Sequence, residues 1–395
     1  MNSYFEGAIR QHLERGRQLL ARVPTDLPRE FHLLAQTCNR ELAHILDELE
    51  SLLSDPRMHL PKHQSERLRR YRRAIRQLSF LEAIGIAALE RANRHDRSLN
   101  QLIEQIVNEI SYPLLPPVVT ALSQQYFHIY PQLGLLSVPL SEGDFLLHLP
   151  DLLHELAHPL VTERHNPRVK PFQNSLLKAI GLVLAYMAEE RIKEGRRRGP
   201  SQIEFYLRQW EKSWPSWVIE FFCDLFAVYT LGPSFAWAHL HLCAKLGPNP
   251  YQVPLLRGST HPADNARMTT ILYGLENSGY SKETRDIRDR WQQLLRISGT
   301  KAEPEYRRCF PEHILKALAQ IALKGITAMG CRVANPNMQD PIYSILNQAW
   351  TEFWHAPSDY AIWEKTAVKE LYRLCNSRCM TESERDYTEQ HSKHC

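Results

Sequence analysis

LPDLLHELAHPL, residues 149–160, is the stretch on which the reading of this chain turns. His154 and His158 stand four apart in an apolar, helix-like pattern, and Glu155 follows the first histidine. Residues i and i+4 share a helix face, so both imidazoles can reach one tetrahedral zinc ion while the adjacent carboxylate points at a water on that metal. A metal there acidifies the water, and the carboxylate accepts its proton as the water attacks a carbonyl. His154 and His158 are therefore candidate zinc ligands, and Glu155 is the candidate catalytic base.

Two further segments add to this. In WVIEFFCDLFAVYTL, residues 217–231, Glu220 and Asp224 interrupt an otherwise apolar helix at spacing i, i+4. Buried charges require partners. If both acids face inward, Glu220 can be the third zinc ligand and Asp224 can accept the outer ring N–H of a ligand histidine. In STHPADNARM, residues 259–268, His261 sits in a proline-bounded turn and Arg267 opens another helical stretch.

HExxH at 154–158, ExxxD at 220–224 and THP at 260–262 followed by Arg267, in that order, resemble the gluzincin metallopeptidases. The nearest resemblance is to the HtpX and CAAX-prenyl-protease group and its small soluble relatives. It covers about residues 125 to 275. The resemblance implies zinc held by His154, His158 and Glu220, with Glu155 as base and Asp224 bonded to a ligand histidine. It further implies that His261 stabilises the oxyanion and that Arg267 organises the site through carboxylates. A donor aimed at the developing charge would lower the barrier by a few kcal/mol. The family also has a sheet edge before the zinc helix, along which an extended peptide pairs; residues 134–139 are the candidate. Two features depart from the family. Pro159 should kink or end the zinc helix, and the family's transmembrane helices are missing.

The surroundings suit such a core. From Phe5 to about Ile110 apolar residues recur at three and four positions, with breaks at Pro24 to Pro28, Asp55 and Pro56, and Asn93 to Asp96. That predicts four helices in a bundle. Residues 127–139 mix aromatic, branched and turn residues as short strands do. Helical patterning then resumes at Phe145 and continues in 180–191, 203–210, 217–231 and 235–246, and again after Tyr280. The expected fold is mainly α: an N-terminal helical bundle (1–112), a gluzincin-like zincin core with a short β-sheet edge (113–280) and a C-terminal helical extension (281–395).

Composition bounds the rest. The N-terminus carries Glu6 and Glu14 among its apolar residues, unlike a secretory signal. The longest uncharged apolar stretch, residues 179–188, is too short to span a bilayer. Eight cysteines without a CxxC pair fit free thiols in a reducing cytoplasm. Cys375 and Cys379, near His391 and His394, lack the tight paired spacing of a structural zinc site. His239 and His241, two apart, diverge on a helix. A net charge of +4 does not call for a nucleic-acid partner. The arginine run at 67–76 reads as a solvated face salt-bridged to a neighbour, and Arg196 to Arg198 as an exposed loop. GxSxG and phosphate-binding glycine loops are absent.

The expected activity is peptide-bond hydrolysis by a cytoplasmic metalloendopeptidase with Zn2+ as cofactor and a protein or peptide as substrate. Two imidazoles, a carboxylate and an open position suit zinc. The long flanks suggest helices that cover the cleft until a regulatory protein partner or a cleavage event exposes it. The alternatives are a non-catalytic interaction protein on a peptidase-like fold and a zinc hydrolase of a non-protein amide.

Overall fold

Apolar residues spaced three and four apart build an almost wholly helical protein: 77% of it is helix and 3% strand. The computed structural model describes residues 2–92, 94–123, 126–139, 145–196, 202–246, 249–254 and 261–391. Ser259, Thr260, Arg197, Arg198 and His394, with the side chains of Cys379 and His391, lie outside the described set. No described helix is long and apolar enough to cross a membrane.

The chain forms two units, residues 1–100 with 117–140 and residues 101–116 with 141–395. Both sequence-drawn boundaries, 112/113 and 280/281, fall inside the second unit. The reason is packing: Val118, Leu133 and Leu135 join the core of the N-terminal helices, while residues C-terminal to 280 return to pack on the helices before it.

The first unit holds α1 (Asn2–Arg22), α2 (His32–Ser54), α3 (Gln64–Phe80), a π-helical stretch Leu81–Ile86, α4 (Ala87–Glu90) and the start of α5 (Arg94–Glu109). The breaks expected at Pro24 to Pro28 and at Asp55 and Pro56 fall between these helices; of the third, Asn93 lies outside the described residues and Arg94 to Asp96 already belong to α5. In the arginine run, Arg70 reaches across to Glu48 on α2 at 2.7 and 2.8 Å, and buried Arg67 donates to the Leu52 carbonyl.

Strands β1 (Val118–Ser123), β2 (His128–Tyr130) and β3 (Leu135–Pro139) form one sheet in the order β1-β3-β2. β1 runs parallel to β3 with Val119 opposite Leu136, and β2 runs antiparallel to β3 with Ile129 opposite Leu136. Residues 134–139, expected as an open edge, are therefore the central strand. β3 is uncharged and buried, so its backbone groups need partners on both sides. The outer edge of β1 is also engaged: Asn100 Oδ1 accepts from the Val119 N–H and Asn100 Nδ2 donates to its carbonyl, both at 2.8 Å. Asp96 Oδ1 accepts from the Ala121 N–H. Side chains thus stand where a further strand would pair.

The second unit contains α6 (Asp151–Thr162), α7 (Lys170–Gly195), α8 (Gln202–Leu231), α9 (Pro233–Leu246), α10 (Asp264–Asn277), α11 (Ser281–Ser298), α12 (Pro304–Cys309), α13 (Glu312–Met329), α14 (Pro341–His355) and α15 (Tyr360–His391). α8 is its axis and packs against α6, α7, α10 and α13. Every residue from 220 to 231 is buried, which explains why this stretch is apolar all round. The pieces expected at 203–210 and 217–231 are one helix running through Pro215. Trp214, Trp217 and Phe221 gather around Phe310 and hold it together across the lost hydrogen bond. Pro159 likewise does not end α6, which runs on to Thr162. It lies in the last turn, and Tyr112 donates to the nearby Leu156 carbonyl at 2.7 Å.

Two glycines set how closely the helices approach. Gly232 takes φ +75° and turns the chain from α8 into α9, a backbone conformation that L side chains resist. Gly274 on α10 faces α8, where a Cβ would lie 2.6 Å from Val228 Cγ1 and 3.2 Å from Leu225 Cδ2. Gly181 on α7 has open space instead. Gly181→Ala should therefore raise stability by about 1 kcal/mol through helix propensity. At Gly274 the same substitution should destabilise, because overpacking costs about 1–3 kcal/mol. Urea midpoints followed by far-ultraviolet circular dichroism would check this; a gain at Gly274 would contradict the close approach of α10 to α8.

Candidate metal centre

The site is assembled from three helices of the second unit and a turn. α6 supplies His154, Glu155 and His158, α8 supplies Glu220, Cys223 and Asp224, α10 supplies Arg267, and His261 lies just before α10. On α6 and α8 the i, i+4 spacing puts each pair on the face turned toward the other helix.

Asp224 is fully buried, with both carboxylate oxygens engaged. Arg267 Nε donates to Oδ2 at 2.8 Å and Arg267 Nη2 to Oδ1 at 2.7 Å, a two-pronged pair that fixes both groups. His154 Nδ1 donates to Oδ1 at 2.8 Å. Burial works against the ionised carboxyl, but the guanidinium and His154 outweigh it and hold Asp224 well below the usual carboxylate range.

A carboxylate can only accept, so the bond to Asp224 puts a proton on His154 Nδ1 and directs Nε2 inward. Nε2 stands 3.4 Å from Glu220 Oε2, and His261 Nε2 stands 3.4 Å from the same oxygen. Oε2 is buried and makes no hydrogen bond. Burial disfavours the charge on Glu220, yet the close approach of His154 and the positive charges of His154, His261 and Arg267 draw its pKa down to about 2. Burial disfavours the charge on His154 too, but its bond to Asp224 and the nearby Glu220 carboxylate carry its pKa up to about 10. Without a metal His154 therefore holds protons on both ring nitrogens, and a metal at Nε2 would take the place of one.

The spacing tests whether zinc fits. With Zn–N and Zn–O bonds near 2.1 Å and a Zn–S bond near 2.3 Å, tetrahedral geometry sets N···O edges at about 3.4 Å and N···S edges at about 3.6 Å. The His154–Glu220 distance matches the first value. His158 Nδ1 stands 3.6 Å from Cys223 Sγ, which matches the second. His158 is held neutral, its pKa lowered to about 4 by burial and by the charge on His154, so it keeps a lone pair for a metal.

The structure gathers His154, Glu220, Asp224, His261 and Arg267 through direct contacts and sets His158 beside a residue not singled out from sequence, Cys223. His154, His158 and Cys223 each offer a donor atom within 4.8 Å of the others, a set without Glu220. Glu220 joins through His154 and His261. The sequence reading passed over Cys223; the available signal was its place between Glu220 and Asp224, where a helix inserts it into the same face. Burial and the nearby carboxylates of Glu220, Asp224 and Glu155 push the Cys223 thiol well up, so Glu220 is the better-prepared anion. That effect also brings the half-buried Glu155 carboxylate within electrostatic range of the cluster. His261 is 63% exposed at its side chain and meets the cluster at Glu220. Phe235 stacks on His154 at 6.3 Å between centroids and closes one side of the site.

Asp224→Asn and Arg267→Lys should each weaken zinc binding by about 10- to 100-fold, as losses of the groups that orient ligands do. Competition with a zinc-chelating dye, in variants whose circular dichroism is unchanged, would check this; unaltered affinity in both would contradict the arrangement. Cys223→Ser should leave affinity within a few-fold. Compared with protein-family models, curated proteins and solved structures, the chain matches none.

Proposed function

We propose that this chain is a zinc-dependent metallopeptidase with His154, His158 and Glu220 as ligands. The observation that carries this reading is that the buried Glu220 Oε2, without a hydrogen bond, stands 3.4 Å from His154 Nε2, while His158 offers a donor atom within 4.8 Å of one on His154. The spacing is long for a hydrogen bond and fits a shared tetrahedral cation. A bound zinc ion would supply Lewis acidity toward a carbonyl and toward water.

The chain's own residues do the rest. Glu155 follows a ligand histidine on α6, takes the proton of the attacking water and returns it to the leaving amine. Asp224 and Arg267 hold the His154 ring with Nε2 inward throughout. His261, exposed at the mouth of the site, donates to the oxyanion as the carbonyl becomes tetrahedral. With β3 paired on both sides, substrate binding is assigned to side chains around the site, without a strand partner from residues 134–139. The substrate class, a protein or peptide, and a cytoplasmic location belong to the same proposal; the six described cysteines, all free thiols, agree with a reducing compartment.

The test is hydrolysis of a disordered protein by the zinc-loaded chain, followed by mass spectrometry of the products. Glu155→Gln should keep its zinc and lose at least about 100-fold in kcat, the smallest effect expected of a general base. Full activity in metal-loaded Glu155→Gln, or no cleavage by the native chain, would overturn the proposal.

A further inference from the structure

A second set of donors lies outside the proposed active site. On α9, His239 and Cys243 are one turn apart and share a face, and Asp264, the first residue of α10, meets them. Each of the three offers a ligand atom within 4.8 Å of the others. His239 is 2% exposed, and its Nε2 stands 3.6 Å from Cys243 Sγ. That distance again equals the N···S edge of about 3.6 Å set by zinc bond lengths and a tetrahedral angle.

We propose that His239, Cys243 and Asp264 form a second, structural metal site for zinc, joining α9 to the start of α10. A cysteine–histidine contact alone would need no third group. Here a carboxylate arrives from another helix to complete a nitrogen, sulfur and oxygen set, the mixture that a borderline ion such as zinc prefers. Burial pushes the Cys243 thiol well up, so zinc must displace its proton on binding; the resulting thiolate and the carboxylate then carry two negative charges against the ion's two positive ones. Arg267, one turn beyond Asp264, disfavours a cation at His239, and Asp224, which it holds by two hydrogen bonds, together with Asp264 acts against that effect. His241, the neighbouring histidine, takes no part; it packs against His148 and Trp350.

The location gives the site its role. α10 carries Arg267, and Arg267 holds Asp224 and, through it, His154. An ion that ties the first residue of α10 to α9 fixes the base of that chain of contacts. The proposal is independent of the peptidase reading, because its ligands are disjoint from those of the first site.

The experiment is elemental analysis of the full-length chain after growth with zinc and removal of loosely bound metal. Native protein should hold close to two equivalents. Cys243→Ser and Asp264→Asn should each lose one and keep the equivalent that His154→Ala removes, and His154→Ala with Cys243→Ser should hold almost none. Cobalt loading gives a second readout: in Cys223→Ser, a near-ultraviolet thiolate-to-cobalt band should remain and should vanish when Cys243→Ser is added. The band in folded Cys223→Ser decides the matter even if variants at position 243 fail to fold. Native zinc content in Cys243→Ser and Asp264→Asn, or no thiolate band in cobalt-loaded Cys223→Ser, would overturn the second site.

Discussion

Asp224 carries a full charge in the middle of a helix whose other residues from 220 to 231, apart from Glu220, are uncharged and buried. Such a group is tolerated only when every oxygen is matched, and breaking a buried pair by removing one partner typically costs about 3–5 kcal/mol. Arg267 and His154 provide the match. In doing so they tie α10 and α6 to α8, and they fix which nitrogen of His154 faces the cluster. Most features of the site follow from that constraint: the inward Nε2, the unbonded Glu220 oxygen opposite it, and the close packing at Gly274 that brings α10 within reach.

Much of this could be read from the chain before its structure was known. The spacing of His154 and His158, and of Glu220 and Asp224, is a helix turn, so periodicity alone put each pair on one face. A charged pair in an apolar run announced that the two acids needed partners. Cys223 escaped notice because a cysteine in an apolar helix resembles any other small core residue. The cluster at His239, Cys243 and Asp264 escaped because its third member comes from a different helix. Local pattern cannot report a contact between residues 243 and 264; only packing can.

The fold was less legible where tertiary contacts override local signals. Proline predicts a break, yet Pro215 and Pro159 sit inside α8 and α6, held there by aromatic packing around Phe310 in one case and by position in the final turn in the other. β1 was overlooked although Val118, Val119 and Thr120 are β-branched, because the stretch is short and follows a proline cluster. Residues 134–139 were read as an edge from a resemblance. Their uncharged, buried character argues for the centre of a sheet, where both sides of the backbone are paired. The two units likewise follow core membership more than sequence order, with a strand segment returning to helices that precede it.

The central claim is that the 3.4 Å spacing around Glu220 Oε2 is a ligand geometry and not a chance gap in a helical core. X-ray absorption at the zinc edge on the purified chain, compared with His154→Ala and Glu220→Ala, addresses it most directly. The account predicts nitrogen and oxygen scatterers at about 2.0–2.1 Å, beside the one sulfur at about 2.3 Å of the second site, and one equivalent of zinc lost in each variant. Zinc content and metal–ligand distances unchanged by both substitutions, or native protein that takes up no zinc, would contradict it.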